Sequence, residues 1–338
     1  MSIESPVTYE QLQDLEDDFE EVELELIRQQ TKLSKPLYAK RAELVADIPN
    51  FWPLVFEQSP PDIDEYIQPS DAALLLGSLR SLSVDRFELP DGDPRSFAIR
   101  FDFAENDHFH DKTIEKKFWW RCAKDGWSGL VSEPVNIAWK SPDKDLTGGM
   151  LALARKIWEE DRNNSSSSSS SKSKDKVESD AKKQLKEQMN KTGLGGVSFF
   201  AWFGFRGRDI SAQESREATE AERQKRQARE AGKQVDDDDD KDDEDEDDDD
   251  EDEYEYEVFP TADDLALAIA EDLWPGATKY FGESDIWHPP SVDSIDTRLL
   301  VQAQEQDAMS DAAFESDAEM SDGGDDEDRQ KKRRRNGD

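Results

Sequence analysis

The N-terminal part of the chain has the apolar pattern of a long amphipathic helix. The pattern predicts a helix over residues 8–48, with Thr8 and Gln11 as a capping box and a kink at Pro36. A single apolar stripe on so long a helix favours self-association, although it could also pack on its own domain. The predicted dimer contact consists of apolar residues spaced by three, four or seven positions: Leu12, Leu15, Phe19, Val22, Leu26 and Leu33.

Further along the chain, the apolar period changes from helical to alternating. Apolar and other side chains alternate through residues 97–103, which is typical of a half-buried strand. With residues 82–87, 117–123 and 135–140, this pattern predicts an antiparallel sheet of about four strands, covered on one face by helices. Short helices are predicted over residues 70–79, 146–160 and 261–274. The predicted fold class is therefore α+β.

Two polar stretches divide the predicted α/β domain, which comprises residues 49–160 and 197–282. Residues 162–196 include a run of seven serines and predict a flexible loop. Residues 205–257 predict a polar and acidic disordered insertion, with at most a solvated helix over 211–233. Between them, the apolar segment 197–203 must be buried or bound.

The charge of the chain sharpens this division. Among 338 residues, 82 Asp and Glu oppose 43 Lys and Arg, and the net charge is −39. Residues 236–253 carry −16 and residues 305–328 carry −11. Such segments cannot bury enough apolar surface to fold, so these runs and the tail 291–338 are predicted to be disordered. The negative charge disfavours direct, sequence-specific DNA binding and favours a basic partner.

The C-terminal end reverses the sign of the charge. Residues 329–338 carry +5. A short basic run of this kind predicts a nuclear localisation signal, and hence importin binding and a nuclear protein that could also shuttle to the cytoplasm. It could instead fold back on the acidic tail. The predicted signal comprises Lys331, Lys332, Arg333, Arg334 and Arg335.

The sequence offers little for catalysis. Cys122 is the only cysteine, and the spacing of His108 and His110 fits a polar turn better than a metal site. Neither a phosphate-binding glycine loop nor a nucleophile–base arrangement is present. Apolar runs are too short to span a membrane. The chain is therefore predicted to be no enzyme, with neither cofactor nor metal.

Five segments, in order, resemble the nucleosome assembly protein family, and its SET-like branch most closely. They are residues 32–52, with Ile-Pro-Asn-Phe-Trp at the end, 101–109, 137–147, 198–203 and 271–275, with Glu-Asp-Leu-Trp-Pro. The resemblance implies a homodimer joined by the long helices, with an α/β "earmuff" domain on each arm. It also implies a chaperone that binds core histones, and it suggests a histone lysine acetyltransferase as a further partner.

The same resemblance suggests where histones would bind. The acidic positions of the last predicted helix are expected to line or flank the histone surface: Asp263, Asp264, Glu271 and Asp272. These acids could alternatively serve only to start the helix or solvate it. A different class of function, an adaptor or inhibitor of a partner phosphatase or acetyltransferase with incidental histone binding, also stays open.

Overall fold

The structure is a computed structural model that describes residues 7–167, 179–193, 196–230, 256–259 and 261–284. The acidic runs 236–253 and 305–328 lie outside the described residues. So do the tail 291–338 and its basic end, with the localisation signal predicted there.

The long helix α1 spans Tyr9–Ala46, as the heptad pattern predicts. Both bonds of the capping box are present, since Thr8 N donates to Gln11 Oε1 at 3.2 Å and Gln11 N donates to Thr8 Oγ1 at 3.4 Å. The helix continues across Pro36, and the kink there stays a prediction. At 1.5 Å per residue, α1 is about 57 Å long.

Three short helices lead from α1 to the sheet. They are α2 (Phe51–Glu57), α3 (Pro61–Asp64) and α4 (Pro69–Ser78). Asn50 adopts a left-handed backbone with φ 57°, which asparagine tolerates better than most residues, and it separates α1 from α2. At α4 the cap is formed by Gln68 and Asp71, and Ser70 lies inside the helix.

Four antiparallel strands form the sheet in chain order. They are β1 (Leu79–Asp85), β2 (Phe97–Phe103), β3 (Thr113–Cys122) and β4 (Ser128–Ser132). The fold class α+β and the strand number are confirmed, but the strand predicted over 135–140 is wrong. The strand-type pairing of that segment is limited to an isolated bridge between Trp139 and Phe109. Instead, a turn with Gly126 at φ 88° brings Ser128–Ser132 back along β3.

The remaining elements cover the sheet and extend the domain. Two 3₁₀ turns span Pro142–Lys144 and Phe199–Gly204, and two helices lie between them, α5 (Met150–Ser167) and α6 (Asp180–Thr192). Then follow α7 (Ala212–Glu230), α8 (Ala262–Leu267), a π-helical turn (Ala268–Leu273) and α9 (Ala277–Glu283).

Helices α6 and α7 correct the two polar stretches of the prediction. Within 162–196, α6 packs on α5 because Ala181 and Leu185, four residues apart, are buried on one face. Within 205–257, α7 is anchored on β3, where the Ser215 hydroxyl accepts a hydrogen bond of 3.0 Å from Cys122 N. Ala218, one turn further on, is buried as well. Both stretches therefore contribute packed helices to the domain.

The aromatic 3₁₀ turn Phe199–Gly204 is the centre of the core, and all six residues are buried. The Trp202 ring lies 5.4 Å from Phe118 of β3, and its indole Nε1 donates to Ala262 O at 2.8 Å. Phe101 of β2 makes edge contacts with three of the turn's rings. This turn therefore joins the sheet to α8, and the prediction that residues 197–203 are buried is confirmed.

Two buried charged groups secure this turn and the segment that follows the acidic run. Lys116 Nζ donates to the carbonyl oxygens of Phe205 at 2.8 Å, and of Phe203 and Glu133 at 3.1 Å. Glu257 accepts hydrogen bonds from the backbone N–H groups of Arg206 and Gly207. Burial lowers the pKa of Lys116 and raises the pKa of Glu257, each to about 7.

Asp71 fixes the start of the aromatic turn. Its carboxylate is fully buried and accepts hydrogen bonds from Ser198 Oγ at 2.6 Å and Phe199 N at 2.8 Å. It also caps α4 by accepting from Gln68 N at 3.0 Å. Burial raises the pKa of Asp71, and these hydrogen bonds oppose that rise.

We expect Asp71→Ala to lower the free energy of unfolding by about 2–3 kcal/mol, because it leaves buried donors without an acceptor. Urea denaturation followed by tryptophan fluorescence measures this. The exposed Asp107→Ala is the control and should change stability by less than about 0.5 kcal/mol. Equal effects of the two substitutions would contradict this role of Asp71.

Candidate functional site

The six predicted dimer residues form an open apolar stripe on α1, called the seam below. Their exposed fractions range from 49% for Leu15 to 71% for Leu33. A stripe of large apolar side chains at this exposure is costly in water. The alternative prediction, that the seam packs on its own domain, is therefore wrong for the single chain.

A second stripe of α1, which sequence reasoning missed, faces the domain. Asp14 and Asp17 belong to it, and each lies two residues beyond a seam leucine, about 200° around the helix at 3.6 residues per turn. The helix thus has its domain on one side and the seam on the other. The domain-facing stripe consists of half-buried or buried positions at helical spacing: Asp14, Asp17, Leu24, Ile27, Thr31, Ser34, Tyr38, Arg41 and Val45.

Arg41 attaches the domain-facing stripe to the end of the π-helical turn. Its guanidinium lies 4.8 Å from the ring centres of Tyr38 and Trp274 and 5.6 Å from that of Trp52. It donates to the carbonyl oxygens of Trp274 at 2.6 Å and Pro275 at 3.2 Å. Burial lowers the pKa of Arg41, while the coulombic contribution of Tyr38 raises it. Arg41 thereby links the long helix directly to the segment that carries Glu271 and Asp272.

The structure places the four predicted histone-binding carboxylates in two pairs. Asp263 and Asp264 lie in the first turn of α8, whereas Glu271 and Asp272 lie in the π-helical turn that follows it. Asp263 is half-buried, and the other three are exposed. The predicted helix over 261–274 is therefore present. However, Thr261 gives no side-chain cap, because its hydroxyl is hydrogen-bonded to Tyr66 at 2.6 Å.

The four carboxylates differ in the contacts that they already make within the domain. Glu271 forms an ion pair of 3.1 Å with Arg86 and is still 53% exposed. Asp272 accepts a hydrogen bond of 2.7 Å from the Tyr280 hydroxyl. Burial and this bond raise the pKa of Tyr280 to about 12. Burial also raises the pKa of Asp263, and the neighbouring Asp264 adds to that rise.

Within the described residues, no group of three or more His, Cys, Asp or Glu side chains is arranged to hold a metal ion. His108 instead binds the Lys144 carbonyl through Nδ1 at 3.0 Å, while His110 is exposed. None of the described helices combines the length and the apolar character that crossing a bilayer requires.

Comparison with known proteins identifies this arrangement. The family model for nucleosome assembly proteins matches residues 45–284, which is more than half of the chain. The chain belongs to the nucleosome assembly protein family. The matched region starts at the end of α1 and extends through the sheet, the aromatic turn and α9, so it contains all four carboxylates.

Two relatives of this nucleosome assembly protein domain illustrate the match. A Schizosaccharomyces pombe protein named as a nucleosome assembly protein is 33% identical over 155 residues, covering 43% of this chain and 62% of the relative. Protein SET of Drosophila melanogaster is 34% identical over 122 residues, covering 35% of this chain and 42% of the relative. The chain thus spans only part of the length of these relatives.

Solved structures are similar over more of the chain, at lower sequence identity. Ccp1 is 24% identical with a TM-score of 0.47, and the match covers 84% of this chain and 98% of Ccp1. The Vps75 histone chaperone is 21% identical with a TM-score of 0.46, and the match covers 81% and 96%.

The contacts of Arg41 generate a stability prediction. We expect Arg41→Ala to cost about 2 kcal/mol, because it removes the stacking on three rings and leaves two carbonyls without their donor. Arg41→Lys should recover only part of this loss, because an ammonium lacks the planar guanidinium that stacks on the rings.

The matched control for Arg41 is its neighbour Lys40, which is exposed. Lys40→Ala should change the unfolding free energy by less than about 0.5 kcal/mol. Calorimetric or chemical unfolding of the three variants provides the measurement. Full recovery by Arg41→Lys would show that charge alone, without the ring contacts, holds α1 to Trp274.

Proposed function

We propose that the chain is a non-catalytic histone chaperone that binds core histones as a homodimer. One observation carries the proposal. A packed nucleosome assembly protein domain presents exposed carboxylates, and the same chain has a net charge of −39. Core histones are strongly basic and bind DNA non-specifically through that charge. An acidic carrier of defined shape competes with DNA for the positive charge of the histones. It can release the histones to DNA, because such contacts weaken with salt.

Within this proposal, the seam is the homodimer contact. It lies on the side of α1 away from the domain, so two long helices can pair along their seams without displacing either domain. Pairing removes the exposed apolar stripes from water, which supplies the driving force. The dimer then carries two domains and doubles the number of histone-facing carboxylates.

The folded carboxylates and the acidic runs have different tasks in this proposal. Asp263, Asp264, Glu271 and Asp272 have fixed positions and can select a particular histone surface. The runs 236–253 and 305–328 add attraction that is weakly dependent on position and strongly screened by salt. We further propose nuclear import through the basic end 331–335, and presentation of bound histones to an acetyltransferase.

The seam generates a direct prediction of oligomeric state. We expect Leu15→Asp/Leu26→Asp to weaken self-association by more than about a hundredfold, because unpaired carboxylates would be buried between apolar surfaces. Sedimentation equilibrium of the full chain measures this. The control Gln13→Asp/Lys35→Asp places two carboxylates off the seam and should leave the dimer intact. Monomers in the wild-type chain, or equal loss in the control, would contradict the dimer proposal.

The carboxylates generate a prediction about histone affinity. We expect Asp263→Asn/Asp264→Asn/Glu271→Gln/Asp272→Asn to raise the Kd for core histones about tenfold at physiological salt, since each lost charge contact contributes a few tenths of a kcal/mol. Titration of fluorescently labelled histones provides the Kd. The control removes the same number of charges from exposed acids that lie outside α8 and its π-helical turn: Glu105, Asp107, Glu133 and Asp143.

Comparing the two sets of substitutions distinguishes an effect of the proposed site from an effect of net charge. A larger effect of the first set supports a histone surface on α8 and its π-helical turn. Equal effects would mean that only total charge matters, and the proposed site would be wrong. Failure of the wild-type chain to bind histones at all would favour the adaptor function instead.

A further inference from the structure

Three arginines from outside α1 bind acidic residues in its N-terminal turns. Arg226 and Arg229 come from α7, and Arg95 comes from the loop between β1 and β2. Their side chains are only 15–22% exposed. We call these three residues the arginine clasp. An ordinary surface ion pair contributes little, but a network of partly buried guanidinium groups that each bind two carboxylates is more strongly held.

The part of the clasp on α7 binds four carboxylates of α1. Arg226 pairs with Asp18 and, at 3.4 Å, with Glu21. Arg229 pairs with Asp14 at 3.2 Å and with Asp17 at 3.9 Å. These acids span two successive turns of α1, whereas the two arginines lie within one turn of α7. Asp18 is a neighbour of the seam residues Leu15 and Val22 on the helix surface, yet both stay open, with exposed fractions of 49% and 57%.

The part of the clasp on the sheet is fixed by an aromatic ring. The Arg95 guanidinium lies 4.2 Å from the ring centre of Trp120. It pairs with Asp93 of its own loop at 2.8 Å and also with Glu20 of α1. Burial opposes the charge of Arg95, but these two carboxylates outweigh it and raise its pKa. Arg95 therefore binds α1 from a rigid position on the domain.

The first turns of helix α7 pack on the domain, so the arginines near its C-terminal end have fixed positions. Ser215 and Ala218 are buried against the domain, and Lys124 pairs with Glu217 at 3.3 Å. The clasp contacts α1 between Asp14 and Glu21. Arg41 attaches α1 at a point about 35 Å from Asp18, taking 1.5 Å per residue. The clasp thus attaches the long helix at a second place, far from Arg41.

We propose that the arginine clasp sets the direction in which the long helix leaves the domain. Without the clasp, α1 would be held by Arg41 and by the half-buried positions from Leu24 onward, and its turns before Leu24 could swing relative to the sheet. The clasp holds those N-terminal turns against the domain while the seam remains open. The consequence for a dimer rests on the proposed function: the clasp would fix the separation of the two domains. It also engages five acids of α1 internally, and these are then not the acids that bind a basic partner.

The experiment measures a distance within one chain. Spin labels are attached to cysteines introduced at the exposed Gln13 and Glu105 in a Cys122→Ser full-length chain. Labelled protein is diluted into excess unlabelled protein, so that pulsed electron resonance reports distances within one copy. The wild-type clasp should give a single narrow distance. Arg226→Glu/Arg229→Glu should lose it and give a broad distribution.

The control uses two other arginines of the same helix. Arg216 and Arg223 are exposed, and the pair formed by Arg223 stays within α7, with Glu220 at 2.6 Å. Arg216→Glu/Arg223→Glu makes the same charge change and should keep the narrow distance. A narrow distance in the clasp variant, or the same broadening in the control, would overturn the proposal.

A charge swap guards against simple misfolding of the clasp variant. Adding Asp14→Arg/Asp18→Arg to Arg226→Glu/Arg229→Glu recreates the pairs with opposite signs and should restore the narrow distance. Persistent broadening would overturn the proposal. The readout needs neither histones nor a dimer, so it is independent of the tests of the proposed function.

Discussion

Burial of the aromatic turn Phe199–Gly204 is the constraint on which the rest of this domain depends. Six consecutive buried residues need the sheet on one side and α8 on the other. Buried charged groups satisfy the hydrogen-bonding groups of the turn's backbone. Asp71 accepts a hydrogen bond from the N–H of its first residue, and Lys116 donates to two of the nearby carbonyls. Polar groups buried this deeply are tolerated only when they are paired, so these contacts define one arrangement of the chain.

That arrangement determines where function can reside. With α8 and its π-helical turn fixed by Trp202 and Arg41, the carboxylates near Glu271 have defined positions on the surface. The same Arg41 links this surface to the long helix, whose seam faces away from the domain. A single rigid unit therefore presents one apolar stripe and one acidic surface, each suited to a different partner. The acidic runs add charge to this unit, and this role does not require them to have a fixed geometry.

The sequence predicts the parts of this structure that depend on local periodicity. Large apolar side chains alternate clearly in Phe97–Phe103, and the heptad pattern identifies α1. By contrast, β4 is short and contains Ser128 and Gly129, so its pairing depends on the turn at Gly126 more than on strand propensity. The apolar face of α6 is hard to recognise in the sequence, because its few apolar residues stand between lysines. The acidic residues of α1 that the arginine clasp binds lie more than 200 positions from Arg226 and Arg229 in the sequence. No local pattern encodes such pairs.

The central claim is that carboxylates with fixed positions on the folded domain, and not only the acidic runs, contact histones. Zero-length carbodiimide cross-linking of the full chain with core histones tests it, because it joins carboxylates directly to histone lysines. At physiological salt, mass spectrometry should find cross-links at Asp263, Asp264, Glu271 and Asp272. The clasped acids between Asp14 and Glu21 should remain unlinked. Cross-links confined to residues 236–253 and 305–328 would contradict the account.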